Sequence, residues 1–227
     1  MEFQKDCTYT FVSRRNSGKS HLARFLLYTL LEKEMVDEVF IFSQTEYVSR
    51  SFDCLPKSHV FNGWTPNVVE KIMKKQEKEV IKLGREKAHR VLLILDDVIG
   101  SLSPTDHIIQ KLYTLGRHFN MTIITLLQYS KGVLSPILRC NSDYLFLGRL
   151  STQALGVLYE TCHYEGTLSQ FVKFVQTQQS LSPYTFLLYD SLTAIDANRW
   201  KQVTAPEERI NFQIAFSKSN VKSSKAK

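Results

Sequence analysis

One segment of the sequence has the residue types of a phosphate-binding loop. SRRNSGKS, at residues 13 to 20, follows a β-prone run and precedes a helical pattern. This context is typical of a P-loop, whose backbone N–H groups surround phosphate oxygens at a helix N-terminus. We predict that Lys19 reaches the β- and γ-phosphates of ATP and that Ser20 ligates Mg²⁺. The predicted nucleotide-binding residues are Ser13, Arg14, Arg15, Asn16, Ser17, Gly18, Lys19 and Ser20.

A second motif bears on the same chemistry. VLLILDD, at residues 91 to 97, is an apolar run that ends in two carboxylates, which is the Walker B pattern. We expect Asp96 to hold the water shell of Mg²⁺ and Asp97 to polarise the attacking water, a role more often filled by Glu. The alternative for this motif is a pair of aspartates that only cap a turn at the end of a strand. The alternative for residues 13–20 is a Gly-Lys-Ser that occurs by chance, since the loop begins with Ser13 where Gly is usual. The two motifs together favour nucleotide hydrolysis.

Two further polar residues are candidates by position. Gln128 ends the strand after the Walker B strand, so in a parallel sheet it emerges at the same edge and can sense the γ-phosphate, or it simply ends a buried strand. Arg117 lies nine positions after Ile108, roughly half a turn around a helix from the apolar stripe. It is either a solvated arginine or an arginine finger offered to a neighbouring subunit. Arg139 and Arg149 are weaker candidates for that role.

The elements that position these residues alternate between strand and helix patterns. Strands are predicted at residues 7–12, 38–42, 59–61, 91–95, 121–127, 144–147 and 184–189. Helices are predicted at residues 21–34, along an apolar stripe from Val69 to Leu83, from Pro104 onward, and at 151–179. This alternation predicts an α/β fold with a parallel sheet covered on both faces.

Composition excludes several classes of protein. Of the 227 residues 43% are hydrophobic, yet no apolar run approaches the roughly 18 residues of a membrane span. The acidic N-terminus lacks the apolar region of a secretory leader. Four cysteines without C-x-x-C spacing are interpreted as buried, reduced thiols, and the histidines show no metal-ligand spacing. We expect a single domain at residues 1–216 and a basic, flexible tail at residues 217–227.

The net charge of +7 is concentrated in two segments. Residues 71–90 contain eight Lys or Arg and three Glu, and residues 217–227 contain four Lys. Basic residues confined to one helix and a tail are typical of a protein that binds a phosphate backbone. A solvated helix face is the alternative.

Four blocks of sequence, in their order and spacing, resemble the genome-packaging ATPases of large DNA viruses and virophages. They are SRRNSGKS, LLILDD, GRHFNMTIITLLQ and LRCNSDYLFLGR, within a region from Tyr9 to about Tyr189. These ATPases belong to the FtsK–HerA branch of P-loop proteins. The resemblance implies a P-loop NTPase of the additional-strand, RecA/FtsK-like type: a central, mainly parallel sheet flanked by helices, with Walker A and Walker B on nonadjacent strands.

The resemblance also implies a function, with ATP and Mg²⁺ as cofactors. It implies a homo-oligomeric ring of five or six subunits that drives double-stranded DNA into a capsid, with capsid protein as a partner and no membrane. Residue by residue, Lys19 and Ser20 match Walker A, and Asp96 and Asp97 match Walker B. Gln128 matches the sensor and Arg117 the trans-acting arginine. We expect the protein in the host cytoplasm, in a viral factory, or in the virion, and not secreted.

Two other functions stay open at this level. A P-loop small-molecule kinase would transfer the γ-phosphate to an acceptor under an arginine-rich lid, although the sequence has no obvious lid insertion. A noncatalytic, nucleotide-dependent scaffold would recruit DNA to capsid protein. The paired aspartates favour water activation and therefore hydrolysis.

Overall fold

A computed structural model of the protein describes residues 3–99, 106–128, 135–180, 184–193 and 199–214. Within these residues, eight strands form one sheet. They are β1 (Thr8–Val12), β2 (Glu38–Ser43), β3 (Val60–Asn62), β4 (Val91–Asp96), β5 (Met121–Leu127), β6 (Tyr144–Leu147), β7 (Thr185–Asp190) and β8 (Trp200–Thr204).

The strand order is β3-β2-β4-β5-β1-β6-β7-β8. Strands β1 to β6 are parallel, whereas β7 is antiparallel to β6 and β8 is antiparallel to β7. The predicted α/β fold with a mainly parallel sheet is therefore confirmed. Because β5 lies between β1 and β4, the P-loop strand and the Walker B strand are nonadjacent, and the carboxyl ends of all three lie at one edge.

Helices cover both faces of the sheet. They are α1 (Lys19–Glu32), α2 (Glu46–Ser49), α3 (Pro66–Leu83), α4 (His107–Leu115), α5 (Pro136–Cys140), α6 (Thr152–Tyr159) and α7 (Leu168–Ser180). Single 3₁₀ turns occupy Lys57–His59 and Gly116–Phe119. No helix in the described ranges is long and apolar enough to cross a bilayer.

Two hydrophobic cores explain the unbroken apolar sequence of β4. Leu93 and Leu95 pack in the core that includes α3, α4, α6 and α7. Leu92 and Ile94 pack in the core on the opposite face, which includes α1. A parallel strand buried on both faces needs apolar side chains at every position, so the two-residue alternation of a half-exposed strand is absent from β4.

Several predicted elements differ from those observed. The helix predicted at 151–179 is two helices, α6 and α7, separated by turns, and β8 was not predicted. The helix predicted from Pro104 begins, in the described residues, at His107, because Asp106 Oδ1 accepts hydrogen bonds from the backbone N–H groups of the first turn. Pro104 itself lies outside the described residues, as does the predicted tail.

Two burial predictions were also wrong. Leu83, assigned to the apolar stripe of α3, is exposed, because the last turn of the helix extends past the core. Three of the four cysteines are buried thiols as predicted, but Cys140, at the end of α5, is exposed.

Candidate nucleotide-binding and catalytic site

The loop at residues 13 to 18 connects β1 directly to α1. Its left-handed positions are Asn16, with φ 54°, and Gly18, with φ 85°, the residue immediately before the helix. Ser13 is fully buried and is not among the residues with positive φ. Gly is usual at this position, but Ser13 fits it, because the backbone there is not left-handed.

Space for the Ser13 side chain comes from the neighbouring strand. Gly148 follows β6, and its backbone N–H donates to Val12 O at 2.9 Å. A Cβ on Gly148 would lie 2.4 Å from Ser13 Cβ. The Ser13 Oγ is 2.5 Å from Ser17 Oγ, so it also bridges the two ends of the loop. Gly148, next to the loop because β6 pairs with β1, thus provides the space that a glycine at position 13 would otherwise leave. A motif within one segment of sequence cannot reveal this relationship.

Lys19, the first residue of α1, turns back toward the loop. Its Nζ donates to Ser13 O at 3.0 Å and to Arg14 O at 2.9 Å, and the residue is 8% exposed. Burial lowers the pKa of the ammonium, and the charges of Asp97 and Asp96 oppose that shift. Two backbone carbonyl oxygens therefore hold this cation against the loop.

Asp96 is the last residue of β4 and is 7% exposed. Its Oδ2 accepts a hydrogen bond of 3.0 Å from the hydroxyl of Ser43, which ends the neighbouring strand β2. Burial and the adjacent Asp97 charge raise the pKa of Asp96 to about 6, although Ser43 and Lys19 oppose the shift. Ser43 was not predicted as a site residue. The sequence feature that could have indicated it is a polar residue at the end of an apolar strand.

This carboxylate environment fits a magnesium ion held together with phosphate. Among the described residues, no three His, Cys, Asp or Glu side chains form a cluster that could hold a metal alone. Mg²⁺ uses one or two carboxylates and completes its shell with substrate phosphates and water. Asp96 and Ser20 line the same cavity, and a divalent cation would offset the cost of burying the Asp96 charge.

Asp97 and Gln128 are joined at the carboxyl edge of the sheet. Asp97 has φ 53°, and its backbone N–H donates to Leu126 O at 3.0 Å, which turns the residue toward β5. The Gln128 amide Nε2 donates to Asp97 Oδ2. The Arg15 Nε donates to Gln128 Oε1 at 2.7 Å. A loop arginine, the residue predicted as sensor and a Walker B carboxylate therefore form one chain of polar contacts.

These groups surround a single cavity of about 840 Å³. The loops after β1, β2, β4 and β5 all contribute to its walls. Its lining residues are Arg15, Asn16, Ser17, Gly18, Lys19, Ser20, His21, Gln44, Thr45, Ser49, Ser51, Asp96, Asp97, Leu127 and Gln128. Ser13 and Arg14, also predicted to bind the nucleotide, are not among the lining residues: Ser13 is buried and Arg14 is exposed. The predicted loop, Walker B and Gln128 thus meet in one place.

Of the three arginines considered as fingers, Arg117 and Arg139 precede strands β5 and β6, whereas Arg149 follows β6. Arg117, in the 3₁₀ turn before β5, is 3.7 Å from Asp143 Oδ1 at the amino edge of the sheet, and its side chain is 44% exposed. Because α4 ends at Leu115, the helical angle used to orient Arg117 from the sequence does not apply. Arg139 lies in α5 before β6, and its side chain donates to Val157 O at 2.9 Å. Arg149 is exposed at the nucleotide edge, where its carbonyl oxygen accepts a hydrogen bond from Arg14 N–H.

The lysines of α3 form one exposed surface, which we call the lysine face. Its members are Lys71, Lys74, Lys75, Lys78 and Lys82, and they line a shallow depression. Two of them have carboxylate partners: Lys74 pairs with Glu70 at 2.9 Å, and Lys75 pairs with Glu38 at 3.3 Å. The opposite side of the helix is buried through Val69, Ile72 and Met73.

A family model described as "Poxvirus A32 protein" matches residues 3–221. The chain belongs to the Poxvirus A32 protein family. Two curated viral proteins, both described as uncharacterized, are similar to this A32-family chain. They are protein 015R of Frog virus 3, 25% identical over 140 residues, and protein L437 of Acanthamoeba polyphaga mimivirus, 26% identical over 156 residues. These matches cover 61% and 65% of this chain but only 42% and 54% of those proteins, so the chain spans about half the length of its curated relatives.

Solved structures have the same fold as this A32-family chain. The genome packaging NTPase B204 of Sulfolobus turreted icosahedral virus 2, in complex with ATP-gammaS, has a TM-score of 0.60 at 20% identity, covering 91% of this chain and 100% of that one. The pCW3 conjugation coupling protein TcpA also has a TM-score of 0.60, at 15% identity, covering 88% of this chain and 60% of that one. The family match and this shared fold agree with the resemblance to viral packaging ATPases of the FtsK–HerA type.

Proposed function

We propose that this chain is an ATP-hydrolysing motor that translocates double-stranded viral DNA into a capsid. The observation that supports the proposal is the convergence of Lys19, Asp96, Asp97 and Gln128 from three parallel strands around one cavity, in a member of the Poxvirus A32 protein family. The genome packaging NTPase B204, in complex with ATP-gammaS, has the same fold.

Each residue has a role that its environment supports. Lys19 exchanges the carbonyl oxygens of Ser13 and Arg14 for oxygens of the β- and γ-phosphates, which costs little because the ammonium is already desolvated. Ser20 and Asp96 hold Mg²⁺, and when bound that ion neutralises charge on the β- and γ-phosphates. The loop amides of residues 15 to 18 donate to phosphate oxygens at the N-terminus of α1, whereas the Arg14 N–H is bound to Arg149 O.

Hydrolysis also needs a water placed in line with the γ-phosphate. Asp97 is proposed to accept a hydrogen bond from that water and orient it. Gln128 donates a hydrogen bond to the same carboxylate and lines the same cavity as Asp97. It is therefore proposed to sense whether the γ-phosphate is present. Water activation by this Asp-Gln pair favours hydrolysis over phosphoryl transfer to a second substrate.

The partners follow from charge and position. The lysine face is proposed to bind the phosphate backbone of duplex DNA, together with the basic tail at residues 217–227. Arg117 lies at the amino edge, about 20 Å along β5 from the cavity, so it can complete only a neighbour's site. We therefore include a homo-oligomeric ring in the proposal, with capsid protein as a further partner, acting in the infected cell or the virion.

The test is phosphate release with and without duplex DNA. A motor releases phosphate faster when DNA is present. A small-molecule kinase releases it slowly and at a rate that DNA does not change, and a scaffold releases almost none. Lys19→Ala is the control for contaminating ATPases, since hydrolysis by this chain requires that ammonium. Release that DNA does not stimulate would contradict the motor.

A further inference from the structure

Tyr184 is an exposed aromatic residue placed directly against the phosphate-binding loop. It precedes β7, whose first residue lies at the same sheet edge as the loop, because β7 is antiparallel to β6. A Cβ on Gly18 would lie 3.0 Å from Tyr184 Cδ1 and 3.3 Å from Tyr184 Cβ. The absence of a side chain at Gly18 therefore allows the tyrosine to approach the start of α1.

The backbone of Tyr184 is held in an unfavourable conformation. Its φ is 63°, in the left-handed region that bulky residues rarely adopt, yet the residue is 57% exposed. Burial of the side chain therefore does not explain why a tyrosine occupies this position. Strain of this kind is concentrated at ligand-binding and catalytic positions, where the surrounding structure sustains it.

The neighbouring backbone connects Tyr184 to the rim of the cavity. Its carbonyl oxygen accepts a hydrogen bond of 3.2 Å from Ala205 N–H. The residue after Ala205, Pro206, has its carbonyl oxygen 2.6 Å from His21 Nε2, and His21 lines the cavity. These contacts join Tyr184, Pro206 and His21 into one rim beside Gly18.

The orientation of a bound nucleoside triphosphate follows from the strand order. If its γ-phosphate lies between Asp97 and Gln128, that end of the ligand is beside β4 and β5. A triphosphate that continues along the loop from that point would place the nucleoside past Gly18, toward β6 and β7. Among the described residues, Tyr184 is the exposed aromatic residue on that side of Gly18, whereas Tyr47 lies on the opposite side, in α2.

We infer that Tyr184 is the platform on which the base of a bound purine nucleotide stacks. This inference rests on the proposed nucleotide binding at the loop, and it adds a binding contact that the motifs do not include. An aromatic ring binds a base through its π-face, so it favours the larger purines over pyrimidines without reading hydrogen-bonding groups. Tyr184 would thus set affinity for the base, whereas Lys19 and the loop bind the phosphates.

The experiment compares two magnesium-bound ligands by calorimetry: a nonhydrolysable ATP analogue and inorganic tripolyphosphate, which has no base. In Tyr184→Ala, affinity for the analogue should fall about 10- to 100-fold, the range seen when a stacking aromatic is removed, while affinity for tripolyphosphate is unchanged. Tyr184→Phe keeps the ring and should bind both ligands as the parent does. Tyr47→Ala tests the other exposed aromatic residue near the cavity, since Tyr47 is 58% exposed and lies in α2 between the lining residues Thr45 and Ser49. It should bind both ligands as the parent does, and a loss of analogue affinity in this variant instead of in Tyr184→Ala would overturn the inference.

A second measurement on the unmodified protein does not depend on the folding of any variant. Stacking predicts that ATP and GTP compete for the site more strongly than CTP and UTP. Equal competition by all four would overturn the inference. So would an equal loss of analogue and tripolyphosphate affinity in Tyr184→Ala, because the tyrosine would then only support the loop. If the unmodified protein bound neither ligand, the proposed nucleotide binding itself would fail.

Discussion

Gln128 and Asp97 are bound to each other through both the main chain and the side chain of the glutamine. The backbone N–H of Gln128 donates to Asp97 Oδ1 at 3.2 Å, and its side-chain amide donates to Oδ2. Both oxygens of the carboxylate proposed to orient water therefore already accept a hydrogen bond. Each carboxylate oxygen has a second lone pair, so a water can bind Asp97 beside Gln128, and the two contacts from Gln128 fix the direction in which the carboxylate faces that water.

Substitution of Gln128 tests this coupling. Gln128→Ala should retain ATP binding but lower turnover about 10²- to 10⁴-fold, the usual contribution of a group that positions a proton transfer. Gln128→Glu should also lower the melting temperature, because a second carboxylate would face Asp97. Gln153→Glu, at an exposed position of α6, is the control for added charge and should change neither property. Full activity of Gln128→Ala would show that the residue only ends its strand.

The roles of Lys19 and Asp97 separate by binding and turnover. Lys19→Ala should abolish hydrolysis, since backbone amides alone cannot neutralise the charge of the β- and γ-phosphates. Asp97→Asn should keep ATP affinity and lose turnover, because Asp96 remains available to the metal. Equilibrium binding and steady-state phosphate release measure the two effects. A joint loss of binding and turnover in Asp97→Asn would mean that Asp97 also holds the metal.

Asp96→Asn should stabilise the protein in metal-free buffer. The pKa of Asp96 is raised to about 6, from an ordinary value of 3.8, mainly by burial. At pH above 6 the folded chain therefore keeps an ionised carboxylate at a cost on the order of 3 kcal/mol, which Asn removes. The gain in melting temperature should be largest above pH 6, shrink between pH 6 and 4, and disappear below, where folded and unfolded Asp96 are both protonated. A gain that did not change with pH would contradict this origin.

The parts of the site that could be predicted from sequence are those encoded by neighbouring residues. The loop is one continuous segment, Asp96 and Asp97 directly follow an apolar run, and Gln128 ends the next strand. Parallel pairing then brings their ends to one edge. Local pattern and tertiary position agree at these residues, so the motifs specify the cavity.

The remaining features depend on which strands become neighbours. Ser43 contacts Asp96 only because β2 pairs with β4, and Gly148 accommodates Ser13 only because β6 pairs with β1. Strand β8 was missed because its residues are largely exposed and lack the apolar alternation that marks a strand. Ser43 leaves only the signal of a polar residue at the end of an apolar strand, and the fit of Gly148 against Ser13 leaves none within a short window of sequence.

The lysine face should bind DNA in a salt-sensitive, sequence-independent way. Replacing Lys74, Lys75, Lys78 and Lys82 with Gln should weaken binding to any duplex alike. The salt dependence should also become shallower, by up to about one unit of slope for each phosphate that the helix no longer neutralises. Fluorescence anisotropy at several salt concentrations measures both quantities. The charge-matched control replaces four exposed lysines elsewhere: Lys33, Lys57, Lys173 and Lys201. If both variants bound DNA equally weakly, general charge rather than this helix would explain the binding.

Arg117 should act on the nucleotide of a neighbouring subunit. It lies at the amino edge beside Asp143, with the length of β5 between it and its own Lys19, so it cannot reach the phosphates bound in its own chain. Arg117→Ala should lower turnover about 10³- to 10⁵-fold if the guanidinium stabilises charge on the transferring phosphoryl group. Native mass measurement with ATP and DNA should show an oligomer for this variant as for the parent, since the substitution removes a charge without removing a buried side chain.

Mixing two inactive variants decides whether the arginine works across a subunit boundary. Subunits with Arg117→Ala retain an intact loop, and subunits with Lys19→Ala retain an intact arginine. In a mixed ring, some interfaces combine the loop of one with the arginine of the other, so hydrolysis should partly return. An arginine that served its own subunit would give no recovery, because every chain in the mixture is defective. Coassembled rings that stay inactive would remove Arg117 from this role and favour Arg149, which is exposed at the nucleotide edge, ahead of Arg139, whose side chain is bound to Val157 O.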